Sequence, residues 1–89
     1  MHEPIADHGL SAHEQDDFAY VVWSAKRLGW IDCITVMTAE ATTTSVAVHA
    51  SAMGEEHEAV YDHNERWIYK LMSDLSQRRW RNGVFRVRT

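Results

Sequence analysis

Apolar residues at helical spacing begin soon after residue 11. Five of them recur at intervals of three and four: Phe18, Val21, Val22, Ala25 and Leu28. This is the period of one face of an α-helix. Ser11 and Glu14 stand at the spacing of a capping box, in which the hydroxyl and the carboxylate each accept from the other residue's backbone N–H. Gly29 can take the left-handed conformation that ends a helix. The pattern predicts a first helix over residues 12–28.

β-branched residues dominate the next segment, residues 31–50. Ile, Val and Thr lose side-chain freedom in helices and pack well on a pleated surface, so they favour strands. We predict two strands, at residues 31–38 and 43–50, joined by residues 39–42. The alternative is a helical segment through residues 38–41, which would make residues 31–52 partly helical and give a three-helix, all-α domain.

A second amphipathic stretch begins after Gly54. It has glutamates at its start and arginines at its end, which is the distribution that the helix dipole favours. Asn82 and Gly83 form a stop signal. We therefore predict a second helix over residues 55–81. Residues 84–89 alternate between apolar side chains and arginines, a pattern typical of an edge strand.

Together these elements predict one α+β domain over residues 11–89. It has a small antiparallel three-stranded sheet and two helices in the order α-β-β-α-β, and residues 1–10 form a polar lead-in that we expect to be flexible. A chain of 89 residues and 10.3 kDa supports one modest core. The absence of a long apolar run and of a signal-like start predicts a soluble chain. The lone Cys33 favours a reducing, cytoplasmic location.

The helical projections leave large aromatic residues outside the predicted core stripes. Eight residues of the two polar faces are the predicted partner-binding set: Asp16, Tyr20, Trp23, Arg27, Asp62, Arg66, Tyr69 and Trp80. Exposed apolar surface usually marks an interaction site, and Trp, Tyr and Arg dominate interface energies. The competing interpretation is that these rings are buried, because a small domain needs most of its large side chains for its core.

Catalytic and metal chemistry are weakly indicated. The four glycines are scattered, and neither a G-x-S-x-G nor an H-E-x-x-H motif is present. On the predicted second helix, His57 and His63 point about 120° apart and do not converge on one ion. Three acidic residues of that segment, Glu58, Asp62 and Glu65, would lie on a solvated face. We predict no enzymatic activity, no cofactor and no metal site.

His57 and Asn64 fall on the predicted apolar stripe of the second helix, with Val60 and Trp67. The simpler interpretation is that they are buried polar residues with hydrogen-bond partners. The alternative is a histidine that titrates near neutrality and controls packing or a partner contact.

Charge is divided unevenly along the chain. Residues 1–65 carry twelve Asp or Glu against two basic residues, whereas residues 66–89 carry seven Lys or Arg against one Asp. The acidic surplus over residues 1–65 favours a basic partner, including proteins that normally hold nucleic acid. We therefore predict a non-enzymatic protein-binding module, a small acidic inhibitor or adaptor, that also self-associates, most simply as a homodimer. In size and composition the chain is similar to small acidic inhibitors carried by phages, anti-CRISPR proteins among them.

Nucleic-acid binding is the alternative function. Five arginines near the C-terminus could pair with phosphates while Trp80 stacks on a base: Arg78, Arg79, Arg81, Arg86 and Arg88. The pI near 5.8 argues against this alternative, because a nucleic-acid binder is expected to be basic.

Overall fold

The computed structural model describes residues 9–32, 34–52, 54–64, 66–77 and 86–87. In chain order, the elements are α1 (Ala12–Arg27), β1 (Val36–Ala41), β2 (Ser45–Ala52), β3 (Glu55–Asp62), α2 (Trp67–Ser76) and β4 (Arg86–Val87). The strands form one antiparallel sheet in the order β1-β2-β3-β4. The α+β class is confirmed, and the three-helix alternative is wrong because its central segment pairs as strands.

Helix α1 begins and ends where the sequence predicts. The Ser11 hydroxyl accepts from the Glu14 backbone N–H at 3.1 Å, and Glu14 Oε1 accepts from the Ser11 N–H at 3.1 Å. After the last turn Gly29 has a φ of +77°, and Trp30 N–H donates to the Ala25 carbonyl at 2.8 Å. The capping box therefore fixes the start, and the left-handed glycine reverses the chain at the end.

The first two strands lie a few residues later than predicted. A turn at Asp32 delays β1, because its carboxylate accepts from Ile34 N–H at 3.1 Å and its carbonyl accepts from Thr35 N–H at 3.0 Å. The β1–β2 turn lacks Gly, Asn and Asp, and Thr42 replaces them. Its hydroxyl accepts from the backbone N–H of Ser45 at 3.0 Å, while its N–H donates to the Ser45 carbonyl at 2.8 Å. A threonine thus supplies the turn chemistry.

The predicted second helix over residues 55–81 is wrong in its first half. Residues 55–62 form β3, which pairs antiparallel with β2 from Ser45↔Asp62 to Ala52↔Glu55. Gly54, with φ at +82°, lies between β2 and β3 and permits the reversal. The observed order is therefore α-β-β-β-α-β. The reason is tertiary: pairing with β2 satisfies the backbone of this acidic segment and overrides its helical signals.

The second half of the predicted helix is confirmed over Trp67–Ser76, which form α2. Asn64 lies in the connection before this helix, where its side-chain oxygen accepts from Arg66 N–H at 2.7 Å. The prediction that Asn64 lies on the apolar stripe of the second helix is therefore wrong. His57 lies on β3, and Val60 is exposed on the same strand. The predicted end of the helix at residues 78–81 lies outside the described residues. The predicted tail strand is described only at Arg86–Val87, which pairs with β3.

One face of the sheet and both helices build the core. The sheet contributes Val46, Val48 and Ala59, and the helices contribute mainly Val21, Ala25, Trp67, Leu71 and Leu75. Trp67 is fully enclosed, with the Phe18 ring centroid 6.2 Å from its own. Leu10 also belongs to the core, whereas the prediction of flexibility for residues 1–8 lies outside the described residues.

Candidate functional site: a groove between the helices

A groove of about 740 Å³ runs between α1 and α2. Asp17 and Tyr20 form its α1 wall, and Ile68, Tyr69 and Met72 form its α2 wall. The tyrosine on each wall is largely in solvent, with Tyr20 61% exposed and Tyr69 70% exposed. Both lie on the polar sides of their helices, where helical spacing predicts them.

Beside Tyr20, and outside the residues that line the groove, α1 carries a second exposed ring. Trp23 lies with its ring centroid 6.0 Å from that of Tyr20 at an interplanar angle of 32°, and Arg27 Cζ lies 5.3 Å from the Trp23 centroid. Residues three and four apart are neighbours on a helix surface, so this stacking follows from the sequence spacing. We call Tyr20, Trp23 and Tyr69 the exposed rings.

The structure groups only part of the predicted partner-binding set. Asp16 is exposed on α1 beside the exposed rings. Asp62 and Arg66 are not on a helical face as predicted, because Asp62 ends β3 and Arg66 is the N-cap of α2. Trp80 lies outside the described residues. Four of the predicted nucleic-acid-binding arginines also lie outside them: Arg78, Arg79, Arg81 and Arg88. Arg86 is described by its backbone in β4.

Charged side chains lie on the α1 wall of the groove and beyond its α2 wall. On the α1 wall, Asp17 Oδ2 lies 3.3 Å from Nε2 of the exposed His13. Arg66 and Lys70 line a separate shallow depression that shares Tyr69 with the groove. A molecule in the groove would therefore meet the Asp17 carboxylate, and one that extends past Tyr69 would also meet these two cations.

At one end of the groove lies a polar cluster that the sequence did not reveal. His63 Nε2 lies 2.9 Å from Glu14 Oε2, and His63 Nδ1 lies 2.6 Å from the Thr42 carbonyl oxygen. The Trp67 indole N–H donates to the same Glu14 oxygen at 3.1 Å. Glu14 is thus shared between the helix cap and this cluster. The two ends of its contact with His63 are 49 residues apart in sequence, so local spacing carries no signal of it.

The contacts of this cluster stabilise its charged forms. Partial burial raises the pKa of the Glu14 carboxyl, but hydrogen bonds from the Ser11 backbone, the Trp67 indole and the His63 ring outweigh it and lower the pKa from 4.5 to about 2. The hydrogen bonds to the Thr42 carbonyl and to Glu14 raise the pKa of His63 above its ordinary 6.5. The geometry therefore favours a carboxylate and an imidazolium in contact.

The opposite face of the sheet carries further acidic residues. Glu40 and Glu58 lie on either side of His49, at 3.8 Å and 3.7 Å from its ring nitrogens. Glu56 and Asp62 are exposed on β3. Within the described ranges, no group of three or more His, Cys, Asp or Glu side chains is arranged to hold a metal ion.

Neither helix, over the residues that are described, is long and apolar enough to cross a membrane. No protein-family model, no curated protein and no solved structure matches this chain.

Proposed function

We propose that the chain is a non-enzymatic protein-binding module that holds its partner in the groove between α1 and α2. The observation that carries the proposal is the exposure of Tyr20, Trp23 and Tyr69 around this groove, in a chain that buries Trp67 completely. Exposed aromatic surface around a concave site is the usual composition of an interface. None of these three rings belongs to the core cluster, so each can contact a partner without disturbing the core.

The arrangement of the rings suits a binding surface in energetic terms. Trp and Tyr at the centre of an interface each contribute about 2 kcal/mol or more when they act as hot spots. Trp23 is held between Tyr20 and Arg27 before any partner arrives. Side chains that are already ordered lose less conformational entropy on binding, which strengthens association.

The charges along α1 and beyond Tyr69 indicate the kind of partner. Asp16 and Asp17 lie along α1, and Arg66 and Lys70 lie along α2. The partner we propose inserts an apolar or aromatic side chain between Tyr20 and Tyr69 and presents Lys or Arg toward α1. The net charge of −4 favours a basic protein by long-range attraction. An inhibitor or adaptor of such a protein is the function we propose.

Site-specific crosslinking in cells tests the groove. The photoreactive residue p-benzoylphenylalanine replaces Tyr20 or Tyr69 in two variants and replaces Val60 in a control. Val60 is also exposed, but it lies on the opposite face of the sheet. The expected result is one shared partner crosslinked from Tyr20 and Tyr69 and not from Val60, with yield reduced by Trp23→Ala. Identical products from all three positions, or none, would contradict the proposal.

Light scattering on the purified chain tests whether the partner is a second copy of the same chain. If the chain is a homodimer through the groove, the double variant Tyr20→Ala, Trp23→Ala has half the mass of the unmodified protein. If both proteins have the monomer mass, the partner is a different protein. A dimer mass that the double variant retains places self-association elsewhere on the surface.

A further inference from the structure

His63 connects three parts of the fold at the end of the groove. Its ring contacts Glu14 in the first turn of α1 and the Thr42 carbonyl in the β1–β2 turn. Its backbone N–H donates to the Thr44 carbonyl at 3.0 Å. His63 itself lies in the connection between β3 and α2. A single side chain therefore joins the start of α1 to the two loops beneath it.

Both ring nitrogens of His63 face hydrogen-bond acceptors. The Thr42 carbonyl has no proton to give, so Nδ1 must donate to it. The Glu14 oxygen already accepts from the Trp67 indole, and the carboxyl is ionised at neutral pH, so Nε2 must donate as well. Only the imidazolium form carries protons on both nitrogens. The geometry thus fits one protonation state of His63.

We propose that His63 is a proton-controlled clasp, which holds the first turn of α1 in place and so keeps the groove in its binding shape. When the imidazolium gives one proton to water, one ring nitrogen keeps a lone pair that points at an oxygen atom less than 3 Å away. That contact becomes repulsive, and either Glu14 or Thr42 separates from the ring. This proposal rests on the proposed function, because Glu14, His63 and Trp67 line the same groove.

The groups that face the His63 ring come from α1, α2 and the β1–β2 turn, and they determine how the ring titrates. From α1, Glu14 faces the ring, and His13 and Asp17 lie beside it on the groove wall as an exposed pair. From α2, the Trp67 indole shares the Glu14 oxygen. From the β1–β2 turn, backbone carbonyls face the histidine. The Glu14 carboxylate is the nearest anion, so the clasp is an ion pair in which each charge stabilises the other.

The pH dependence has a defined sign for each partner. Since folding raises the pKa of His63, its contribution is complete below the ordinary value of 6.5 and is lost as the pH rises through the raised value. Since folding lowers the pKa of Glu14 to about 2, its contribution is complete above 4.5 and is lost as the pH falls toward 2. The clasp therefore stabilises the fold most between pH 4.5 and 6.5.

An NMR titration of the unmodified chain tests the clasp without a partner. The expected result is that His63 titrates above 6.5, and that the Glu14 and Gln15 amides, which are hydrogen-bonded to Ser11, become about tenfold less protected across this transition, after correction for the intrinsic pH dependence of exchange. A His63 titration at or below 6.5, or a transition that leaves those amides unchanged, would overturn the proposal.

Two variants separate the clasp from general effects of pH. In His63→Gln, the loss of protection with rising pH should disappear. In His13→Gln, which removes an exposed histidine from the first turn of α1, the loss should remain. A loss that persists in His63→Gln would refute the clasp. Because these measurements use the isolated chain, their failure leaves the crosslinking test of the groove unaffected, and a failed crosslinking test leaves the titration valid.

Discussion

The two described tryptophans of the helices, Trp23 and Trp67, provide the sharpest test of the division between core and binding surface. Trp67 is 1% exposed, and Trp23 is 54% exposed. The same substitution, to alanine, should therefore have very different effects on the free energy of unfolding.

The magnitudes follow from what each ring contacts. Removing a buried Trp side chain costs about 3–5 kcal/mol. Trp67→Ala also removes the indole donor to Glu14. A loss of this size is a large part of the total stability of a small domain, which is typically about 5–15 kcal/mol. Trp23→Ala loses the ring contacts with Tyr20 and Arg27, each about 0.5–1 kcal/mol at an exposed site. We expect Trp23→Ala to cost about 1–2 kcal/mol.

Urea denaturation followed by far-ultraviolet circular dichroism measures both variants without relying on tryptophan fluorescence. Trp67→Phe keeps a ring in the core and serves as the milder variant if Trp67→Ala does not fold. Trp23→Phe is its matched control and should leave the unfolding midpoint nearly unchanged. If Trp23→Ala destabilises the chain as much as Trp67→Ala does, Trp23 is a core residue and the reasoning behind the binding surface is refuted.

Three further substitutions test other features of the fold. Gly9→Ala should cost at least about 1 kcal/mol, because Gly9 has a φ of +66° and a Cβ there would collide with the Ala41 carbonyl; an unchanged melting temperature would contradict this packing. Tyr61→Phe should cost about 1–2 kcal/mol by removing the 2.6 Å bond from the Tyr61 hydroxyl to Asp74. It should cost much less in an Asp74→Ala background, which has no acceptor, as a double-mutant cycle would show. Thr35→Val should be neutral or stabilising by up to about 1 kcal/mol, because the buried Thr35 hydroxyl has no hydrogen-bond partner among the described residues; a clear loss in urea denaturation would reveal a partner.

Local chemistry made α1 predictable. Its capping box, its apolar period and its terminal glycine all act within a few residues, so the sequence contains the whole signal. The exposed rings on α1 were predictable for the same reason, since a helical projection needs only the period and the register. Tyr69 was also placed correctly, because the segment around it remains helical in α2.

Non-local pairing made β3 unpredictable. Its residues include Glu55, Glu56 and Glu58, which are uncommon in strands and well suited to the first turn of a helix. His57, Ala59 and Tyr61 alternate toward the core face of the sheet, but one of the three is a histidine, and the apolar Val60 points away. Pairing with β2 decides the conformation, and a prediction from local signals cannot include that partner. The placement of Asp62, His57 and Asn64 on a helix is wrong because of this one change.

The Glu14 carboxylate explains why the candidate site could be predicted only in part. Oε1 caps α1 by a contact with Ser11, three residues away, and this role was visible in the sequence. Oε2 accepts from His63 and Trp67, which are distant in sequence and meet Glu14 only when the sheet and both helices are assembled. The cap and the cluster therefore form together. The first turn of α1 must be helical to direct Oε2 toward the cluster, and His63 and Trp67 must be in place to donate to it. The order of α1 is in this way tied to one end of the groove whose walls carry Tyr20 and Tyr69.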